Sequence, residues 1–336
     1  MARAVTVREI ETARARIAGR IVETPLLSSD WLSRRSGHPV HLKLETRQTT
    51  GSFKLRGSTN AILSLSEHDR AKGLVTASTG NHGRAVAYAA REVGVRAVIC
   101  MSALVPANKV EAIRALDAEA RIVGSSQDEA QIEVERLTRQ QGLTQIPPFD
   151  HPEVIAGQGT IGLEIVEALP EVESVLVPLS GGGLAAGVAA AVKAMQPKAR
   201  VIGVSMARGA AMHASLAAGR AVGVTEVETL ADSLGGGIGL SNQYTFRMCQ
   251  ELIDDVVLLD EDEIAAGVRH AFTLEGEIAE GAGAVGIAAL LYDKVHVRGP
   301  TVALLSGRNI DAGLHRDVVV GHWPRAAVAL CPKCAR

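Results

Sequence analysis

A chain of 336 residues is about twice the usual single-domain length, which excludes a lone small module and favours two compact units or one large α/β domain. Hydrophobic residues at 47% and charged residues at 21% are those of a folded globular protein, and 35 Lys+Arg against 37 Asp+Glu leave a net charge of −2. A balanced chain with 3% aromatics lacks both the basic field and the stacking faces of a nucleic-acid binder, so small-molecule chemistry is the better reading.

The first twenty residues have no apolar core of the signal-peptide kind, and no stretch of roughly 18 residues escapes a charge or a turn signal, so a cytoplasmic protein without a membrane partner is expected. Thr6 followed by Glu9 forms a capping-box pattern, and Ile10, Ala13 and Ile17 lie on one face of the helix it opens. An extended piece runs through Val40, Leu42 and Leu44. Strands are then predicted at 73–77, 96–101 and 120–123, with helices from about Asn81 and Asn108 between them. Ser126 and Glu129 form a second capping pattern that opens a helix to about Gln141, and Pro147-Pro148 breaks the chain at an expected domain crossing. Further strands at 174–179, 200–205, 256–259 and 301–305 alternate with Ala- and Gly-rich helices. The alternation predicts parallel sheet with crossover helices.

Three predicted strands end in small polar residues: Ala77 to Asn81, Leu179 to Gly183, and Leu305 to Asn309. Open α/β sheets bind ligands beyond the carboxyl ends of strands, so these loops are the candidate site. Gly181-Gly182-Gly183-Leu184-Ala185-Ala186 satisfies a G-x-G-x-x-A dinucleotide fingerprint, but no acidic residue occurs from Leu184 to Thr225 to hold a ribose. Free amides at a helix start then suit a single phosphate monoester, and no G-x-x-x-x-G-K-[ST] run supports a nucleoside triphosphate. Only eight lysines occur, and Lys54 sits in Gly51-Ser52-Phe53-Lys54-Leu55-Arg56-Gly57 between a glycine turn and apolar neighbours. A lysine partly removed from water has a lowered pKa and a nucleophilic amine. A phosphate cradle plus such an amine is what a pyridoxal phosphate (PLP) site requires.

On these residues the chain resembles the fold-type II PLP enzymes, specifically the threonine/serine dehydratase family. The landmarks are Thr24-Pro25-Leu26, Lys43-Leu44-Glu45, Gly51 to Gly57, Ser78-Thr79-Gly80-Asn81-His82-Gly83, Ser180 to Leu184, and Ser306-Gly307, in family order over roughly residues 20 to 310. The resemblance implies an α/β fold of two open, mainly parallel twisted sheets with helices on both faces, like the tryptophan synthase β chain. Residues 1–47 plus 148–322 are expected to form a large cofactor-binding domain, 48–147 a small substrate-loop domain and 323–336 a C-terminal tail. Lys54 matches the Schiff-base lysine and the base that takes the Cα proton. Phe53 would pack near the cofactor ring, Asn81 would bond its phenolic oxygen, Ser180, Gly181, Gly182, Gly183 and Leu184 would hold its phosphate, and Ser306 would face its pyridine nitrogen. Ser78, Thr79, Gly80, Asn81 and His82 match the loop that grips the substrate carboxylate, with His82 alternatively a hydrogen-bond strut. The implied reaction removes water from a β-hydroxy amino acid to give a 2-oxo acid and ammonia. A homodimer is the expected assembly, with the amino acid as the only other partner, and the chain resembles the short, degradative type of dehydratase.

Several positions depart from the family pattern. Residues 205–211 carry no carboxylate where many relatives bind a divalent cation, so no metal is expected there. Thr79 stands where racemases of the family have their serine base, which leaves racemisation or β-replacement as alternatives. Arg84 and Arg308 add positive charge that could pair with a second anionic group on the substrate or tie down loops. The segment Leu230 to Gly239 resembles the hydroxyectoine-utilisation dehydratases. Glu280 matches a family turn near the ring, and by residue type also suits a solvated helix end. Cys100 and Cys249 fit buried thiols, and the Cys331/Cys334 pair fits a frayed tail better than a zinc site.

Overall fold

The computed structural model of the chain describes residues 3–323, apart from 79, 104 and 106. The strands are β1 (Leu26–Ser28), β2 (Val40–Leu44), β3 (Leu74–Ala77), β4 (Ala97–Met101), β5 (Glu119–Ile122), β6 (Thr144–Gln145), β7 (Ser174–Pro178), β8 (Arg200–Met206), β9 (Asp255–Leu259) and β10 (Thr301–Leu305). The helices are α1 (Val7–Ile17), α2 (Asp30–Ser36), α3 (Lys54–Ser64), α4 (Glu67–Ala71), α5 (Asn81–Glu92), α6 (Ala107–Arg114) and α7 (Gln127–Gln141) in the first part of the chain. They continue as α8 (Pro152–Ala168), α9 (Gly183–Met195), α10 (Ala211–Ala218), α11 (Thr245–Leu252), α12 (Glu261–Thr273), α13 (Gly281–Leu291) and α14 (Ala312–Val319).

Two sheets result. One has six strands in the order β1-β2-β10-β7-β8-β9, parallel except for β1; the other has four parallel strands in the order β5-β4-β3-β6. Helices cover both faces of each, as parallel sheets require. In β10, Val302 and Leu304 face a core with α1, α8 and α9, whereas Ala303 and Leu305 face one with α12 and α13. In the smaller sheet, Leu74, Ile99 and Met101 pack on α3 and α5, and Val75, Val98 and Cys100 pack on α7. The α/β reading and the two mainly parallel sheets therefore hold. The antiparallel edge strand β1 and the two-residue β6 are additions, both too short to carry a side-chain period.

Local signals act as their chemistry dictates. Thr6 and Glu9 close a reciprocal capping box, and Ile10, Ala13 and Ile17 are buried. Ser126 accepts from the Glu129 amide, and α7 ends on Gly142 in the left-handed conformation. Helices α8 and α9 approach so closely that a Cβ on Gly187 would strike the Ile155 carbonyl and one on Gly162 would lie 2.7 Å from the Val188 carbonyl. The free thiols of Cys100 and Cys249 are buried. The tail cysteines lie outside the described residues. Among the described residues no helix is long and apolar enough to cross a membrane.

Beneath α3 lies a buried group of two cations and two anions. The Arg56 guanidinium, fully buried, donates to both Glu45 oxygens at 2.9 and 2.8 Å, to Thr160 at 3.1 Å and to Glu164, and Lys43 donates to Glu164 and, at 2.6 Å, to the Thr24 carbonyl. Charges balance and each carboxylate is multiply bonded, the condition under which a buried ionic group is tolerated. Arg56→Met leaves the buried Glu45 carboxylate without a cation and Glu164 with Lys43 alone, so a loss of about 3–5 kcal/mol of unfolding free energy is expected in urea titrations. A variant within 1 kcal/mol of wild type would contradict this account.

Candidate active site

The carboxyl ends of β3, β7 and β10 lead into residues 78–82, 179–182 and 306–309. A short antiparallel contact joins the last of these to the residues before α3. Ser52 bridges Gly307, Phe53 donates its N–H to the Ser306 carbonyl at 3.0 Å, and Arg308 donates to the Gly51 carbonyl at 2.9 Å. That contact sets the start of α3, and so Lys54, beside the end of β10. Ser306 is buried, as is Ser52, whose hydroxyl has no partner among the described residues.

Lys54 is half-buried, with its amine screened from bulk solvent. The amine donates to the Pro148 carbonyl at 2.7 Å and lies 5.3 Å from the centre of the Phe53 ring. Burial lowers its pKa to about 8, against a smaller upward pull from Glu280. The neutral, nucleophilic form is therefore accessible near physiological pH.

The glycine loop meets the same crossover segment. A Cβ on Gly181 would lie 2.5 Å from the Phe149 ring, and one on Gly183 would lie 3.0 Å from the Phe149 backbone. Gly182 has φ +88°, and a side chain there would meet Met212 at 2.7 Å and Cys249 and Thr245 at 3.0 Å. Ser180 leads into this turn, and the N–H groups of Gly183, Leu184 and Ala185 open α9 without backbone acceptors, as in any first helical turn. Asp150, the next residue after Phe149, accepts from the N–H groups of Gln243, Tyr244 and Thr245 at 2.6, 2.9 and 2.9 Å, which anchors the crossover to α11.

On the third loop, Asn81 is buried, its nitrogen donating to Glu280 at 2.7 Å and its oxygen accepting from Asn309 at 2.6 Å. His82 is buried with Nε2 at 2.9 Å from the Ile146 carbonyl and Nδ1 at 3.4 Å from the Ser58 hydroxyl. A carbonyl can only accept, so Nε2 carries a proton. Burial and the Lys54 charge hold its pKa down to about 3. That arrangement is the strut reading of His82. Ser78 accepts from the Gly80 amide at 3.3 Å, and Thr79 lies outside the described residues.

Four contributors were not legible in the sequence as site residues: Pro148, Phe149, Asp150 and Asn309. Asn309 stood inside a recognised loop, whereas the crossover residues gave no signal beyond the paired prolines. Glu280 is buried at the N-cap of α13, which corrects the solvated reading. Its oxygens accept from Asn81 and from the Asn309 amide, and burial raises its pKa to about 7, reinforced by Asp232 and opposed by Asn81. Arg84 donates to Asn309 at 2.7 Å. Arg308 is exposed and lines, with Arg84, Arg91, Tyr88, Thr50 and Asn309, a cavity of about 360 Å³ that includes neither Lys54 nor the glycine loop. No cluster of three metal-ligating side chains occurs among the described residues.

Residues 17–307 match the family described as pyridoxal-phosphate dependent enzyme. A protein of Sinorhizobium fredii provisionally named a threonine dehydratase is 64% identical over 318 residues, 94% of this chain and 96% of that one. An L-threonine ammonia-lyase of Thermotoga maritima is 42% identical over 311 residues, 92% and 77% of the two chains. Among solved structures, maize serine racemase superposes with a TM-score of 0.89 at 32% identity, over 95% of this chain and 98% of that one.

The residues fit PLP on structural grounds: the screened amine, the buried hydroxyls at 52 and 306, and a glycine bend closed to any side chain. Gly182→Ala forces a left-handed alanine, costing about 1–2 kcal/mol, against Met212. PLP affinity measured by titrating the apoprotein is expected to fall roughly tenfold. Gly223→Ala, where a Cβ meets nothing within 4 Å, is expected to leave it unchanged.

Proposed function

This chain belongs to the PLP-dependent threonine/serine dehydratase family and is a PLP-dependent ammonia-lyase, and we propose that it removes water from a β-hydroxy amino acid, threonine- or serine-like or hydroxyectoine-derived, with Lys54 as its catalytic residue. The observation that carries this is the Lys54 amine, screened from bulk water, bonded to the Pro148 carbonyl and close enough to Glu280 and His82 to share charge effects with them.

PLP, when bound, supplies the electron sink that lets the substrate's Cα–H and β C–O bonds break. Lys54 would hold its aldehyde and, once released by the incoming amino group, would take the Cα proton on Nζ, with the Pro148 carbonyl orienting that nitrogen. Ser180, Gly181, Gly182, Gly183 and Leu184 would bind the phosphate at the start of α9. Phe53 would pack near the ring, Asn81 would donate to its phenolic oxygen, and Ser306 would face the pyridine nitrogen. A hydroxyl there, unlike a carboxylate, would not hold a proton on that nitrogen. Ser78, Thr79, Gly80, Asn81 and His82 would form the carboxylate loop, His82 through its backbone, since its ring is engaged with Ile146 and Ser58.

The proposed large domain, residues 1–47 plus 148–322, would carry the cofactor, and residues 48–147 would form the small domain with the substrate loop. A cytoplasmic homodimer without nucleic-acid or membrane partners completes the reading. Racemisation is the second reading, favoured by the similarity to maize serine racemase.

The holoenzyme is expected to show a visible absorbance band that borohydride removes and Lys54→Ala lacks, and to release ammonia from threonine or serine without an added nucleophile. Loss of the base is expected to cost about 10² to 10⁴ in rate; a drop below tenfold would exclude Lys54 from this role. Chiral chromatography showing D-amino acid and no ammonia would favour the second reading. Because burial lowers the Lys54 pKa, the reactive amine is present at lower pH than in a free lysine. The rate of PLP uptake by the apoprotein should therefore rise with pH and level off above about 8. A rate still climbing steeply at pH 10 would contradict it.

A further inference from the structure

Four side chains form a hydrogen-bonded chain from the surface cavity to the candidate site: Arg84 to Asn309 at 2.7 Å, Asn309 to Asn81 at 2.6 Å, and Asn81 to Glu280 at 2.7 Å. Its direction is fixed by chemistry. A guanidinium only donates, so the Asn309 atom it meets must be Oδ1. Asn309 Nδ2 then turns inward and donates to the Thr50 carbonyl at 2.9 Å and to Asn81 Oδ1. With its oxygen so engaged, Asn81 donates through Nδ2 to Glu280, whose other oxygen accepts from the Asn309 backbone amide at 3.1 Å. Among the described residues the other N–H of the Asn81 amide meets no acceptor.

We propose that Asn309, held by Arg84, is a positioning residue that fixes which end of the Asn81 amide faces the site, so that Asn81 presents an N–H and not an oxygen to the cofactor. This rests on the reading that Asn81 meets the phenolic oxygen. An anionic oxygen is stabilised by a donor and destabilised by a carbonyl in the same place, so the two amide orientations differ in consequence although they are nearly identical in shape. The space is reserved for this purpose. Gly51 has φ +76°, and a Cβ on it would lie 2.6 Å from Asn309 Oδ1. Glu280 alone does not secure the direction, because its raised pKa lets it carry a proton and act as donor near neutrality. Arg84, charged at all relevant pH, holds the far end. This gives Arg84 a structural partner in the chain itself, the loop-tying alternative to a second anionic group on the substrate.

The test uses Arg84→Gln, which keeps a donor, Arg84→Leu, which removes it, and Asn309→Asp, which keeps shape and removes the inward N–H. PLP dissociation constants are measured by titrating apoproteins, and the pH midpoint of the visible band is read on holoenzymes. Arg84→Gln is expected to match wild type. Arg84→Leu and Asn309→Asp are expected to weaken PLP binding roughly tenfold and to displace the spectral midpoint. A merely structural role would lower thermal stability and leave that midpoint in place. Wild-type affinity and midpoint in both donor-deleted variants, with Lys54→Ala lacking the band, would overturn the positioning role alone. A visible band retained in Lys54→Ala would instead overturn the underlying reading of the site.

Discussion

The placement of Lys54 depends on Arg56 two residues later. Its guanidinium lies between a carboxylate that follows β2 and one from the C-terminal half of α8, so the first turn of α3 is fastened at once to the six-stranded sheet and to the helix layer on its face. Such a group contributes less net stability than hydrophobic residues of equal volume could, since four ions have left water. Its value is geometric. Planar guanidinium and carboxylate groups admit few mutual orientations, and an apolar cluster would let α3 slide along its axis.

A second constraint acts from the opposite side. Within five residues of the crossover between β6 and α8, the Ile146 carbonyl meets His82, the Pro148 carbonyl meets Lys54, Phe149 covers the glycine bend, and Asp150 caps α11. Two successive prolines restrict the backbone that carries these contacts. One short segment thereby coordinates all three of the elements whose starts define the site, through two main-chain carbonyls and the side chains of Phe149 and Asp150. Ordering the site before any ligand arrives reduces what binding must spend on it.

The sequence was informative wherever chemistry is local. The capping pairs at Thr6 and Ser126 and the strand-to-helix turns after β3 and β7 each signal structure within a few residues, and each lies where its signal places it. Glu280 shows the limit. Its neighbours in sequence suit a solvated helix end, and only partners 199 and 29 residues away make it a buried group of the site. Arg84 is similar: its charge was visible, whereas its engagement with Asn309, 225 residues on, was not. Lys43 sits in a strand whose apolar alternation suggests an outward-facing position, yet it is buried because Glu164 waits on α8. Short edge strands such as β1 and β6 escape because two or three residues cannot display a period.

The strand order β2-β10-β7 places β10, the last strand among the described residues, between two made much earlier. During synthesis, β2 and β7 emerge with exposed hydrogen-bonding edges that nothing fills until Thr301–Leu305 has left the ribosome. Pairings of such long range are slow to form, and their unfilled edges invite association between nascent chains. The smaller sheet is complete by residue 145 and can assemble first, so the amine at position 54 waits for its partners at 306–309 until that later stretch of chain has been made.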